Sequence, residues 1–256
     1  MAKKLELVRE VKLYRLVPGK KKSDRLEASG VALSDDDTAL VIFDSLNEIA
    51  RVDLSLEPSD RNQLFPAPAI GEGFEDIAID KEQKRVFCVI ETMEDTDGKY
   101  RAFVSEYDGE GRFQRCQRLE TEFSSPNKGF EGLAFLRHEG TEYLFAMCEG
   151  NLCTDAKSGG GRIQAFTRTP EGSWAWSHEL KLPASAEFED YAGISYREGR
   201  IAVVSQASAR VWVGEVDKET RAIVEGLEHG YRFPKKDQSI QIFRIPATAG
   251  SQPQTS

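Results

Sequence analysis

Gly129-Phe130-Glu131-Gly132-Leu133-Ala134-Phe135 is the stretch on which the reading of this 256-residue chain turns, because it returns. Gly73-Phe74-Glu75-Asp76-Ile77-Ala78-Ile79 lies upstream, and Glu27-Ala28-Ser29-Gly30-Val31-Ala32-Leu33 lies before that. Phe188-Glu189-Asp190-Tyr191-Ala192-Gly193-Ile194-Ser195-Tyr196 follows downstream. With Gly30, Asp76, Gly132 and Gly193 taken as equivalent, the spacings are 46, 56 and 61 residues. Self-similarity at a period of roughly 50 residues marks a repeat architecture, and copies built of strands point to a β-propeller.

Each copy continues on the same plan. The opening apolar triplet gives way to turn residues, as in Ser34-Asp35-Asp36-Asp37 and Asp80-Lys81-Glu82-Gln83. A continuous apolar run follows at 39–43, with strand-like counterparts at 85–90, 143–147 and 200–204. Short apolar runs bounded by turn residues suit strands covered on both faces, as in stacked blades. An arginine opens the third strand of each copy (Arg51, Arg101, Arg162, Arg210), which implies a shared hydrogen-bonding or ion-pairing position. The segments 12–16 and 239–245 read as strands from the two ends of the chain that complete one blade and remove an open edge. Between Leu227 and Gln238 there is no good copy of the repeat. The expectation is an all-β chain: a single propeller over residues 1–246, of five four-stranded blades, with a reduced last blade closed by both termini. A disordered polar tail at 247–256 is expected to follow. Helical periodicity is nearly absent.

Composition narrows the function classes. The net charge is −9, which speaks against non-specific nucleic-acid binding. The one short basic run, Lys20-Lys21-Lys22, reads as a solvated turn. No run of 18 apolar residues occurs, so no membrane-spanning helix is expected. The first fifteen residues lack the apolar core of a signal peptide, and a cytoplasmic location is expected. Of the four cysteines, Cys88 and Cys116 sit in strand-like runs as small apolar residues. Between Cys148 and Cys153, five apart, a loop-closing disulfide is sterically conceivable, but in a reducing compartment two free thiols are expected. The histidines His138, His178 and His229 form no zinc-protease pattern, and no Gly-x-Ser-x-Gly elbow is present. Ser158-Gly159-Gly160-Gly161 reads as a loop rather than a phosphate cradle. Trp174 and Trp176 alternate on one strand face, where packing between blades is expected.

In a propeller the first strand of each blade lines the channel, so repeated residues there face one another across the axis. Glu75 and Glu131 occupy matching positions. The first copy has Ser29 there, with Glu27 two residues earlier; the fourth offers Ala192 with Asp190, or Glu189 if aligned differently. Carboxylates gathered about one axis repel unless a cation or proton lies between them, and hard oxygen ligands favour Ca²⁺ or Mg²⁺. A second acidic ring is expected where the second strands end, from Asp44, Glu91, Glu149 and Gln206, with Asn151 a carbonyl ligand beside it. The candidate metal ligands are therefore Glu75, Glu131, Glu27, Asp190, Glu149, Asp44 and Glu91.

The segments 130–135 (Phe-Glu-Gly-Leu-Ala-Phe), 74–79 (Phe-Glu-Asp-Ile-Ala-Ile) and 203–213 (Val-Val-Ser-Gln-Ala-Ser-Ala-Arg-Val-Trp-Val) resemble the phytase-like and SdiA-regulated propeller families over roughly residues 25 to 220. The resemblance implies channel glutamates of the Glu-Gly-Leu type, Glu131 first and Glu75 second, with calcium a frequent ligand and esterase-like or phosphatase-like activity in some relatives. This chain departs from the pattern at Ser29 and in having no copy after Tyr231. The leading expectation is a soluble propeller with a divalent-cation site in its channel that binds a small anionic or ester ligand and hydrolyses phosphate or carboxyl esters. Glu131 and Glu75 would serve as ligand or general base. The alternative is a non-enzymatic platform for a protein partner or ligand.

Overall fold

Where short apolar runs alternate with Asp-, Gly- and Ser-rich turns, the chain folds into antiparallel hairpins. The computed structural model describes residues 3–68, 73–126, 128–154, 156–217, 222–234 and 239–244. The chain opens with β1 (Lys3–Lys4) and β2 (Glu6–Lys12). Blade one is β3 (Ala28–Leu33), β4 (Thr38–Phe43), β5 (Leu46–Asp53) and β6 (Gln63–Pro66). Blade two is β7 (Phe74–Asp80), β8 (Arg85–Glu94), β9 (Tyr100–Asp108) and β10 (Phe113–Phe123). Blade three is β11 (Phe130–His138), β12 (Thr141–Cys148), β13 (Arg162–Arg168) and β14 (Trp174–Lys181). Blade four is β15 (Gly193–Arg197), β16 (Arg200–Ser205), β17 (Arg210–Val216) and β18 (Ile223–Arg232), and the last strand is β19 (Ser239–Arg244). The inner strands β3, β7, β11 and β15 pack in sequence around the axis.

The all-β propeller stands, but it has four blades and not five. The segment without a repeat signature supplies the end of β18, the outer strand of blade four. The two ends of the chain do pair, as a two-stranded antiparallel ribbon of β2 and β19 running from Lys12 opposite Ser239 to Glu6 opposite Arg244. β1 joins blade four, parallel to β18. The strand expected over 12–16 stops at Lys12, and Leu13–Arg15 is a 3₁₀ turn. That turn drives Leu13 and Leu16 into a cluster with Val17, Leu26, Val41, Phe43, Ala50 and Val52, against which Ile240 and Ile242 of β19 also pack. The ribbon thus covers the outward face of blade one. The tail at 247–256 lies outside the described residues. Among the described residues no helix is long and apolar enough to cross a membrane.

Apolar layers fill the other seams. Phe87 of blade two stacks on Phe135 of blade three, with centroids 5.3 Å apart, and meets the edge of Trp174. Burial of each such ring is worth about 2–3 kcal/mol. Trp174 therefore packs between blades as expected, whereas Trp176 faces outward and donates its Nε1–H to Gln164 Oε1 at 2.8 Å. At the rim of the same seam, Asp80 accepts from Arg85 at 2.6 Å and from Arg137 at 2.9 Å, and Glu142 accepts from both arginines. The four arginines of the third strands do not share one role. Arg101 pairs with Asp95, Asp97 and Glu122, and Arg162 binds Glu179 and the carbonyls of Gly159, Gly160 and Gly161. Arg51 lies within β5 and reaches Gln63 Oε1 at 3.4 Å. Cys88 is buried, as its strand context implied.

Cys148 and Cys153 are bonded, against the expectation of free thiols. Left-handed backbone at Leu152 and Cys153 curls the intervening loop until the two Cα atoms stand 5.1 Å apart, within the span a disulfide needs. Persistent disulfides belong to oxidising compartments, so the bond and the expected reducing location pull in opposite directions.

Candidate functional site

The four positions first aligned by eye, Gly30, Asp76, Gly132 and Gly193, meet at the propeller axis. Asp76 is the only one of them with a side chain, and Gly30 leaves it the room. Its Oδ2 accepts from the amide of Leu133 at 2.8 Å and from the amide of Ile194 at 3.5 Å, and its Oδ1 accepts from its neighbour Ile77 at 2.8 Å. A Cβ at Gly30 would stand 2.7 Å from Asp76 Oδ1. One carboxyl from blade two thus touches blades one, three and four.

Asp76 is 5% exposed. Burial pushes its carboxyl up to about 8 against the pull of the three amides, and the Glu131 charge adds to the rise. Desolvation wins because hydrogen bonds from neutral amides replace only part of the lost hydration of an ion. At neutral pH the axial group is mostly a neutral acid.

The register explains where Glu75 and Glu131 lie. Pairing is regular from Gly30, Asp76 and Gly132 onward, but a bulge separates each from the preceding pair, Ala28 with Phe43, Phe74 with Ile90 and Phe130 with Cys148. The extra residues are Ser29, Glu75 and Glu131. A bulge takes its residue out of the ladder and re-aims its side chain, and the same device in three blades sets these three side chains at one level around Asp76, at the end where the inner strands begin. All three are half-buried. Blade four lacks the bulge: Gly193 pairs Val204 directly, and Ala192 donates to the carbonyl of Val204 at 2.9 Å. The Ser29 hydroxyl oxygen is buried without a hydrogen-bond partner among the described residues.

The other candidates do not gather there. Glu27 and Asp44 are exposed, joined only by the Asp44 amide donating to the Glu27 carbonyl at 2.8 Å. Asp190 accepts from the Ser205 hydroxyl and, at 3.0 Å, from the Ala207 amide, so it fastens the turn after β16. Glu189 and Gln206 are exposed. Glu149 pairs with Lys128 Nζ at 2.9 Å. Glu91 lies inside β8 rather than at its end, because that strand runs on to Glu94. The Asn151 carbonyl is taken by the Tyr191 hydroxyl at 3.0 Å, and its amide donates to the carbonyl of Phe188 at 3.3 Å. Of the second ring, Glu149 is held by an ion pair, and Asp44 and Gln206 are exposed. Among the described residues no three of His, Cys, Asp and Glu converge as a metal shell.

Sequence reading placed Glu75 and Glu131 at matching positions of the inner strands and did not count Asp76 or Ser29 among the candidates. The signal for Asp76 was present: an aspartate stands where the other copies have glycine. Ser29 was passed over because it is not acidic, although its place in the repeat is that of the glutamates.

Three of the four inner strands of this propeller share one bulge, around a single buried carboxyl. The chain belongs to the Phytase-like family, described as "Esterase-like activity of phytase", whose model matches residues 27–196. Among solved structures, the glutaminyl cyclase of Myxococcus xanthus is similar with a TM-score of 0.54 at 14% identity, covering 91% of this chain and 79% of that one. The WD40 repeats of RRP9 are similar at a TM-score of 0.45 and 12% identity, over 87% of this chain, which spans 57% of that one. The PQQ-bound aldose sugar dehydrogenase of Streptomyces coelicolor gives 0.47 at 14% identity, over 86% of this chain and 83% of that one. At such identities the cyclase supports the fold and nothing about chemistry. No curated protein sequence matches the chain.

Proposed function

We propose that the end of the channel where the inner strands begin binds a small ester and hydrolyses it, with Glu131 as general base and Glu75 orienting the water. The observation that carries this reading is the bulge shared by three blades, which sets Ser29, Glu75 and Glu131 around the axis. The buried Ser29 hydroxyl supports it, because an unpartnered buried hydroxyl is costly unless a ligand or water meets it. The family description supports the ester class. Glu131 takes a proton from water as the water oxygen attacks the ester carbon or phosphorus, and returns it to the departing alkoxide. The neutral Asp76 beneath lets Glu131 hold its charge without a second negative charge beside it.

Hydrolysis of 4-nitrophenyl acetate and 4-nitrophenyl phosphate by wild type, Glu131→Gln and Glu75→Gln tests the reading. Loss of about 100-fold or more in kcat with unchanged melting temperature is expected for Glu131→Gln. A wild type inert toward both esters, or an equally active Glu131→Gln, overturns it.

A second reading, an interaction platform, draws on one observation. Val31 and Leu33, on the same face of β3, are 59% and 46% exposed. An inert wild type would turn the search to a protein that covers them.

A further inference from the structure

Each inner strand places one apolar residue directly after the axial position: Val31, Ile77, Leu133 and Ile194. Three of them pack against the blade before their own, Ile77 with blade one, Leu133 with blade two and Ile194 with blade three. They are 2%, 1% and 7% exposed, whereas Val31 is 59% exposed. The blade before Val31 in the ring is blade four, and the matching face of blade four is bare as well. Ala202 and Val204 hold the register positions of Leu40 and Ile42, of Phe87 and Val89, and of Phe145 and Met147. Those six are buried against the next blade. Ala202 and Val204 are only half-buried and belong to no apolar core among the described residues.

The ribbon of β2 and β19 enters this seam without filling it. It packs on Val41, Phe43, Ala50 and Val52 of β4 and β5. On the same face it leaves Val31 and Leu33 of β3 uncovered. The bare surface therefore continues an interface that the chain already makes. The ribbon has two strands where every blade has at least four, and among the described residues β2 and β19 each pair only with the other. An edge remains for a third strand. The channel below Asp76 opens beside it with a volume of about 610 Å³, and Val31, Leu33, Ile194 and Ser195 stand in its wall.

We propose that the seam between blades four and one is a docking slot for one extended segment of a partner protein, which adds to the ribbon as a strand. Such a strand has Val31 and Leu33 on one side and Ala202 and Val204 on the other. Covered on both faces, it must carry a run of about five consecutive uncharged, mostly apolar residues. Backbone hydrogen bonds to the ribbon supply affinity, and the two apolar walls supply specificity. The proposal rests on the interaction-platform reading, to which it gives a partner chemistry, and it does not involve Glu131.

Fluorescence anisotropy with a labelled peptide of residues 129–137, the inner-strand repeat itself, is the test, with light scattering to fix the oligomeric state. Wild type is expected to be monomeric and to bind the peptide. A peptide with aspartate in place of Leu133 is expected to bind about tenfold more weakly, and Val31→Asp/Leu33→Asp to weaken the original peptide to a similar degree. Trp176→Ser, which removes another exposed ring, and Glu131→Gln are expected to leave binding unchanged. No binding by wild type, equal affinity for the aspartate peptide, or full affinity in Val31→Asp/Leu33→Asp with an unaltered melting temperature would each overturn the proposal. A wild-type dimer that Val31→Asp/Leu33→Asp separates would put a second copy in the slot, which keeps the platform reading and overturns this one.

Discussion

The Leu133 amide donates to Asp76 Oδ2 across 2.8 Å, joining blade three to blade two at the centre of the ring. Most groups so enclosed in the molecule are apolar, and this one is ionisable. Its pH behaviour follows from that. In the folded chain the carboxyl keeps its proton up to about pH 8, whereas unfolded it ionises at the ordinary aspartate value near 4. The folded state therefore binds the extra proton between those limits, and the contribution of Asp76 to stability falls steadily as pH rises through them. Chemical denaturation from pH 5 to 9 should show the decline, and Asp76→Asn should flatten it and be the more stable protein at pH 9.

The glycines around Asp76 can be ranked. A Cβ at Gly30 meets Asp76 Oδ1 at 2.7 Å and the Asp76 backbone at 2.8 Å, while one at Gly193 comes no closer to Asp76 than 3.9 Å. Gly30→Ala should cost about 1–3 kcal/mol through overpacking. Gly193→Ala should be close to neutral. Equal midpoints of urea unfolding for the two variants would contradict the arrangement.

Asp80 behaves oppositely to Asp76. Burial opposes its charge, but hydrogen bonds from Arg85 and the Gln83 amide, with the charges of Arg85 and Arg137, outweigh burial and hold the carboxyl below the usual carboxylate range. Its contribution is present above the ordinary aspartate value and is lost as pH falls below about 4. Asp80→Ala leaves Arg85 and Arg137 sharing Glu142 without their buried second carboxylate and should cost about 3 kcal/mol at pH 7. The deficit should shrink toward pH 3, which equilibrium unfolding at the two pH values would measure.

Thiol titration under denaturing conditions checks the loop after β12. Two thiols, Cys88 and Cys116, should react without reductant and all four cysteines after it. Burial pushes the Cys88 thiol up, so native protein should react more slowly at that site. Reduction opens a short loop and should cost about 2 kcal/mol, visible as a lower melting temperature. Four thiols in protein purified without reductant would restore the reducing-compartment expectation.

The fold was legible because strand burial repeats with the sequence: β4 and its counterparts are apolar on both faces, and the chain says so directly. The blade count was not, because β18 carries no copy of the repeat and its place depends on pairing with β17, which no local pattern encodes. In the channel, the position of Glu75 and Glu131 was readable from alignment. That they sit on bulges was not, since a bulge is a mismatch between two strands and belongs to neither alone. Two of the candidate ligands, one from each expected ring, have local partners that no sequence pattern shows. Asp190 and Glu149 have the chemistry of ligands, but nearby partners (the Ser205 hydroxyl and Ala207 amide, and Lys128) use it first.

The ribbon of β2 and β19 bears on how the molecule comes into being. Gln241 hydrogen-bonds Glu10 across 231 residues of sequence, so as the chain leaves the ribosome β2 emerges long before the strand that pairs with it. Blades two and three can close from their own hairpins meanwhile, but blade one must wait with Val41, Phe43 and Val52 only partly covered. Distant pairings form late, and an unpaired strand beside an apolar face invites the wrong neighbour. Truncation at the C-terminal end, which removes no residue of the channel, should therefore appear first as a loss of soluble yield rather than as a change in chemistry.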